Sequence, residues 1–176
     1  MNKEEIVIKL QQNHQNFIQL IETLNKKDFE KVIGDKWTPA QQTEHIFKSV
    51  NPVALALTLP LFVLKLLFST NNRSSKNYDE LVSNYNQKLA LGGKATKRFI
   101  PKNVPFEHKE IIIGKLKNTV EKLCCLTLKI DEKDLDIYLL PHPLLGKLTL
   151  REMLFFTIHH VTHHQQSIKN ILQHNP

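Results

Sequence analysis

The sequence predicts a single all-α domain, and three observations support this. A chain of 176 residues is the size of one ordinary domain with a substantial core. Apolar residues make up 41% of the chain, whereas aromatic residues and glycine are scarce, a balance that favours helices over a β-sandwich. Several long segments repeat apolar residues at helical spacing. We therefore expect residues 1–176 to form one helical domain.

The first predicted helix begins at a capping box, because Asn2 is followed three residues later by Glu5. Apolar residues then recur at helical spacing along one side of the segment. The members of this stripe are Ile6, Leu10, Phe17, Leu20, Ile21 and Leu24. The pattern predicts an amphipathic helix that fades at Asn25.

A second helix begins at the sequence Trp37-Thr38-Pro39-Ala40-Gln41. Thr38 can accept hydrogen bonds from free backbone N–H groups, and Pro39 suits the first helical position. Gln41 can complete a capping box, and Pro52 must kink or end the helix. His45 lies two turns in, on a face of mixed polarity. From this helix alone, an exposed surface histidine is the simpler interpretation.

Residues 53–68 are the most hydrophobic part of the chain. The stretch is shorter than the ~20 apolar residues that a membrane-spanning helix needs, and Pro60 and Lys65 interrupt it. We predict a kinked core helix and do not favour membrane contact. An apolar face left for a subunit partner, which would give a homodimer, is the alternative.

Residues 69–105 form an extended, partly helical insertion between the second and third long helices. A short helix is predicted from Tyr78 to Leu91, followed by a turn at Gly92 and Gly93. This is also the most basic part of the chain, with Lys88, Lys94, Lys97 and Arg98. Insertions of this length are either lids over a site or packing arms, and a basic stretch is usually a solvated face.

A third long helix is predicted after Pro105, because apolar residues recur at helical spacing as far as about Ile130. Residues 131–147 then form a connection that contains Pro141-His142-Pro143. A residue before proline is biased towards extended backbone, so His142 lies on a constrained segment. A structural turn is favoured there over contact with a substrate.

The last helix opens with a capping box of Thr149 and Glu152 and carries four histidines within six positions, His159, His160, His163 and His164. One face is apolar at both ends, and it contains Met153, Thr157, His160, His164, Ile168 and Ile171. This face is the predicted core stripe, so His160 and His164 should point inward. His159 and His163 should lie nearer the edge.

Two buried imidazoles need partners, because an unpaired buried polar group is costly. A metal ion can take one lone pair from each ring of an H-x-x-x-H pair, but it needs a third donor. Position 161 is Val, which excludes the HExxH arrangement with its glutamate base. His45 is the best candidate for the third ligand. A chance histidine cluster on a surface helix is the competing interpretation.

The segment from Trp37 to Ile46, with the downstream His160-x-x-His163-His164, resembles the DinB-like (YfiT-like) superfamily. Members of this superfamily have been described as metal-dependent hydrolases and as thiol S-transferases. The resemblance covers most of the chain. It implies a four-helix bundle in which His45, His160 and His164 hold a divalent ion.

The resemblance thus implies a metal-binding protein, and we expect a metalloenzyme with a three-histidine site. Zn²⁺ is the first expectation, with Ni²⁺, Mn²⁺ and Fe²⁺ as alternatives. Open coordination positions would serve hydrolysis, or S-transfer from a low-molecular-weight thiol to a small-molecule substrate. The alternative is a non-catalytic, metal-stabilised helical module for dimerisation or binding.

The formal charge of +7 permits anionic partners without identifying one. No dense run of Lys and Arg with interleaved aromatic residues is present, so we expect no nucleic-acid partner. The N-terminal residues are charged and have no apolar signal-peptide core close behind them. A cytoplasmic location is therefore expected.

Overall fold

Four long helices form a bundle in the computed structural model, which describes residues 1–173. The helices and strands follow the chain in the order α1 (Lys3–Glu22), α2 (Lys26–Phe29), α3 (Pro39–Ala56), α4 (Leu61–Phe68), α5 (Tyr78–Ala90), α6 (Lys109–Lys129), β1 (Leu139–His142), β2 (Gly146–Thr149) and α7 (Leu150–Gln173). Helices α1 and α3 each pack against both α6 and α7. The predicted all-α four-helix bundle is confirmed.

The starts of the bundle helices are fixed by local hydrogen bonds. In α1, Asn2 Oδ1 accepts from Glu5 N at 2.8 Å, and Glu5 Oε2 accepts from Asn2 N at 2.9 Å. In α3, Thr38 Oγ1 accepts from Gln41 N at 3.1 Å, and Gln41 Oε1 accepts from Thr38 N at 3.0 Å. These two predicted capping boxes are therefore present. The second one fixes where α3 begins, and so which of its residues face inward.

The core fills the space between the four long helices. The stripe predicted for α1 is buried except for Leu20, which is partly buried, and Leu10, Phe17 and Ile21 are fully inaccessible to solvent. Leu116 and Leu123 of α6 are likewise fully inaccessible. Burial of such a stripe is the main source of helix stability in a bundle.

Helix α5 packs against α7, and the segment that precedes α5 is bound to the start of α7. Glu152 is fully buried and accepts hydrogen bonds from Arg73 Nη1 at 2.6 Å and Nη2 at 2.7 Å. It also accepts from the backbone N of Lys76 at 2.7 Å and of Thr149 at 2.9 Å. The predicted insertion between the second and third bundle helices is therefore present, and this buried carboxylate holds it against α7.

The segment 53–68 differs from its prediction as a kinked core helix. Helix α3 continues through Pro52 to Ala56, and α4 leaves it at an angle of 113°. Leu64 of α4 is buried, but Phe62 is 70% exposed and Leu66 is 83% exposed. Hydrophobicity predicted burial, but the bend before α4 turns most of that helix away from the bundle. Among residues 1–173, no single helix is long and apolar enough to cross a membrane, and α3 with α4 meets that test only as a bent pair.

The connection predicted over residues 131–147 contains most of a short hairpin. Strands β1 and β2 pair antiparallel, with Leu140 opposite Leu148 and His142 opposite Gly146. The hairpin packs on α7 and α4, and it places His142 at the edge of the site described next.

Candidate metal centre

Three histidines from two bundle helices meet inside the protein. His45 comes from the second turn of α3, and His160 and His164 lie one turn apart on α7. The Nε2 atom of His160 is 3.2 Å from Nε2 of His45 and 3.2 Å from Nε2 of His164. All three side chains are buried, and their ligand atoms lie within 4.8 Å of one another. This cluster could hold a metal ion.

The hydrogen bonds behind two of these rings fix which nitrogen carries the proton. His45 Nδ1 lies 2.8 Å from the carbonyl oxygen of Phe99, which can only accept, so this Nδ1 is the donor. His164 Nδ1 lies 2.9 Å from Oε1 of Gln42, whose amide nitrogen donates to Trp37 O at 3.0 Å. In a neutral ring the other nitrogen then has a free lone pair. Both rings therefore direct an Nε2 lone pair at His160.

Protons alone cannot satisfy this arrangement. A single proton on His160 Nε2 can be donated to one of the two facing lone pairs, which leaves the other without a donor. A divalent cation accepts a lone pair from all three rings at once. In a tetrahedral zinc site with bonds of about 2.0–2.1 Å, ligand nitrogens are separated by about 3.3 Å. The two separations of 3.2 Å match that spacing.

Electrostatics keep these rings neutral, which is the form that binds metals. Burial lowers the pKa of His160 and of His164 well below the ordinary histidine value, and the neighbouring imidazoles lower both further. Burial also lowers the pKa of His45, and this outweighs the opposing effect of its hydrogen bond to Phe99. The cluster therefore presents unprotonated nitrogens at neutral pH.

A cavity of about 250 Å³ adjoins the three histidines. Most of its walls are apolar, and they come from α3, the insertion, the hairpin and α7. The apolar lining residues are Trp37, Pro52, Val53, Leu89, Ala95, Phe99, Pro141, Pro143, Leu144, Met153 and Phe156. Residues of the insertion form one wall of this cavity. Its position therefore agrees with the predicted role of a lid over a site. Apolar walls with a few convergent polar groups are typical of small-molecule sites.

The four clustered histidines of α7 lie where the predicted core stripe of that helix places them. His160 is 5% exposed and His164 is 8% exposed, whereas His159 and His163 are only partly buried. His163 also lines the cavity, and Tyr85 contacts the cluster from α5, with ring centroids 5.8 Å from His159 and 6.1 Å from His160. The sequence predicted a helix from Tyr78 to Leu91 but offered no sign that Tyr85 faces the histidines.

Two further residues contact or line the site. Gln42 accepts a hydrogen bond from His164, whereas the neighbouring Gln41 caps the helix. His142 was assigned to a structural turn, yet it also lines the cavity. Contacts between distant segments carry no local sequence signal, so both contacts required the folded structure.

The family of this chain follows from comparison with protein-family models. The model of the DinB superfamily matches residues 9–168, which include all three clustered histidines. The chain belongs to the DinB superfamily. The resemblance read from the segment at Trp37 and the histidines of α7 is thereby confirmed. A search among curated proteins gave no match.

Two solved structures share the DinB-type bundle. TT2238, described as a four-helix bundle protein, is 15% identical, with a TM-score of 0.59 over 96% of this chain and 98% of that chain. The colibactin self-resistance protein ClbS, solved in complex with double-stranded DNA, is 14% identical, with a TM-score of 0.60 over 99% of this chain and 98% of that chain. At these identities the likeness shows the fold alone.

The expectation that this protein has no nucleic-acid partner is contradicted by the ClbS complex, because a chain of the same fold has been solved with double-stranded DNA. That expectation relied on the absence of a dense run of Lys and Arg in the sequence. A surface that contacts phosphates can instead be assembled from basic residues spread along a folded segment, so their density in the sequence does not exclude one.

Proposed function

We propose that this DinB-superfamily protein is a metalloenzyme in which His45, His160 and His164 hold a divalent ion, with Zn²⁺ as the first candidate. The observation that carries the proposal is the convergence of three buried imidazoles, two of them with Nε2 lone pairs fixed by their hydrogen bonds. Three neutral histidines leave coordination positions free, which is typical of catalytic rather than structural zinc sites.

The cavity supports a small-molecule substrate. A bound divalent ion supplies Lewis acidity, which makes water or a low-molecular-weight thiol a stronger nucleophile at neutral pH. The chain itself provides the walls that exclude bulk water, including Trp37, Phe99 and Phe156. Hydrolysis and thiol S-transfer both fit this arrangement, and both remain proposals for the same site.

Activity assays on metal-free and metal-reconstituted protein test this proposal. Wild-type protein reconstituted with Zn²⁺ is expected to act in a panel of thiol-conjugation or ester and amide hydrolysis reactions, and His160→Ala should abolish that activity. His108→Ala is the matched control, because His108 is exposed and outside the cluster. Equal activity in His160→Ala and wild type would contradict the proposal.

The exposed face of α4 favours the non-catalytic alternative. Phe62 and Leu66 are 70% and 83% exposed, and a second copy of the chain is one way to cover such a surface. A metal-stabilised dimerisation module would show a higher melting temperature with Zn²⁺ and concentration-dependent dimers, without activity in either panel. Activity that depends on His160 would exclude it as a full account.

Contact with double-stranded nucleic acid is a second candidate function. ClbS was solved with double-stranded DNA. In this chain, residues 81–106 contain no Asp or Glu and carry the basic residues Lys88, Lys94, Lys97, Arg98 and Lys102. The same segment borders the cavity through Ala95 and Phe99. A basic rim around a site is suited to a phosphate backbone.

Fluorescence anisotropy with a short DNA duplex at several salt concentrations tests this candidate. Replacing Lys94, Lys97 and Arg98 with Ala should weaken binding and reduce the salt dependence by about one unit of slope for each lost phosphate contact. The control replaces three exposed lysines of α6, Lys115, Lys117 and Lys122, and removes the same charge elsewhere. Equal weakening in both variants would indicate only a general charge effect.

A further inference from the structure

His142 is held in one tautomer by the turn of the β-hairpin. Its Nδ1 accepts hydrogen bonds from the backbone N of Leu144 at 3.2 Å and of Leu145 at 3.1 Å. A ring nitrogen that accepts two N–H groups carries no proton, so the proton of the neutral ring lies on Nε2. Burial lowers the pKa of His142 to about 4, which keeps the ring neutral at pH 7.

The free N–H of this ring belongs to a side chain of the cavity wall. His142 lines the cavity, and its Nε2 has no hydrogen-bond partner among residues 1–173. The Phe156 ring lies 4.2 Å from the His142 ring and 4.7 Å from the His160 ring, measured between centroids. Both imidazoles therefore contact the same aromatic side chain, which brings His142 close to the three-histidine cluster.

The surroundings restrict what His142 can bind. None of the described residues that line the cavity is Asp, Glu, Lys or Arg. Pro141, Pro143 and Leu144 of the same hairpin also line the cavity. An N–H that opens into an apolar cavity favours a ligand with an acceptor oxygen, because a wholly apolar ligand would cover this donor and leave it without a partner.

We propose that His142 is a substrate-binding residue, whose Nε2–H donates a hydrogen bond to a neutral oxygen of a small, mostly apolar substrate such as a carbonyl compound. This inference rests on the cavity being the substrate site of the proposed metalloenzyme. It adds the class of substrate, namely an uncharged molecule with one acceptor oxygen and an apolar body that fits about 250 Å³. Because the donor is a neutral imidazole, the bond persists throughout the neutral pH range.

Two substitutions separate the role of His142 in binding from its role in the turn. In His142→Asn, the side-chain oxygen can still accept from the backbone N–H groups of the turn, but no donor remains at the position of Nε2, because the amide is shorter than the imidazole ring. His142→Ala removes both functions. His108→Ala serves as the control, because His108 is exposed and is not among the residues that line the cavity.

Acetophenone and ethylbenzene are the matched probes, because they have similar shapes and only the former has an acceptor oxygen. Binding is measured by NMR titration of metal-free protein. Wild type and His108→Ala should bind acetophenone about tenfold more tightly than His142→Asn does, and ethylbenzene should bind all three equally. Equal acetophenone affinity in wild type and His142→Asn would overturn the proposal, as would an equal loss for both probes.

Wild-type protein alone provides a second measurement, which does not depend on how the variants fold. Long-range ¹H–¹⁵N NMR should show the Nε2–H tautomer of His142 at pH 7, with the Nε2 resonance shifted by acetophenone and not by ethylbenzene. An Nδ1–H tautomer, or a protonated ring at that pH, would overturn the proposal. These experiments use metal-free protein. Failure of the protein to bind Zn²⁺ would therefore count against the proposed function, whereas the test of His142 does not depend on metal binding.

Discussion

Replacing Gln42 with Ala should weaken zinc binding without touching a ligand. Gln42 is 2% exposed, and its amide joins two parts of the site. The amide oxygen accepts from His164 Nδ1 at 2.9 Å, and the amide nitrogen donates to Trp37 O at 3.0 Å. Without this acceptor, the His164 ring loses the contact that fixes its tautomer and its orientation towards His160.

The size of the effect follows from what such supporting hydrogen bonds contribute. Loss of one typically lowers metal affinity by about 10- to 100-fold, which corresponds to about 1.4–2.7 kcal/mol. The upper part of this range is expected here, because the substitution also leaves the partly buried carbonyl of Trp37 without its amide donor. Competition for Zn²⁺ with a chromophoric chelator measures the affinity directly.

The neighbouring residue is a matched control. Gln41 caps α3 through a hydrogen bond from Thr38 N, so Gln41→Ala should lower the free energy of unfolding by about 1 kcal/mol or less. It should leave zinc affinity unchanged. Gln42→Glu keeps an acceptor for His164 and should retain affinity. Wild-type affinity in Gln42→Ala, or an equal loss in Gln41→Ala, would refute this account of the site.

Two further predictions concern buried titratable groups. Burial alone would raise the pKa of Glu152, but hydrogen bonds from Arg73, Lys76 and Thr149 outweigh it and hold the pKa below its ordinary value. The free energy of unfolding that this carboxylate contributes should be lost as pH falls through the acid range. Urea unfolding at pH 7 should show Glu152→Gln less stable than wild type by about 2 kcal/mol, and the stability of the variant should depend less on pH in the acid range. Burial lowers the pKa of His14 from 6.5 to about 4, so the unfolded state binds this proton first and stability falls as pH drops through that interval. His14→Leu should reduce that fall in the same assay, and an unchanged pH profile would contradict it.

The parts of the fold that the sequence predicted are governed by local interactions. The capping boxes at Asn2 and Thr38 involve residues three positions apart, so their spacing is visible in the sequence. The same holds for Thr149 and Glu152, which are hydrogen-bonded to each other at the start of α7. The helical period likewise separated the inward pair, His160 and His164, from the edge pair.

The parts that the sequence did not predict depend on contacts between distant segments. Glu152 was identified as a capping residue, but its pairing with Arg73 requires the insertion to fold back onto α7. The exposure of Phe62 and Leu66 follows from a bend between α3 and α4, because residue hydrophobicity does not encode the direction of a helix. The role of Phe99 could not be predicted from its residue type, because its backbone oxygen makes the contact with His45.

The contact between His45 and the histidines of α7 could be predicted from the sequence only in part. From its own helix, His45 was best interpreted as a surface residue. The need of the His160 and His164 pair for a third donor made it the best candidate for the third ligand, and the family resemblance implied the same residue. The structure buries it, 5% exposed, with its Nε2 facing His160. Packing of α3 against α7 creates this contact, and neither helix alone contains the information.

Metal analysis of protein purified without a histidine tag determines whether the three-histidine cluster holds an ion. We predict about one equivalent of a divalent metal in wild type, and loss of that metal in His160→Ala and His164→Ala. His163→Ala should keep it, because that side chain lies nearer the edge of α7 and outside the three-histidine cluster. Full occupancy in both His160→Ala and His164→Ala would contradict the account.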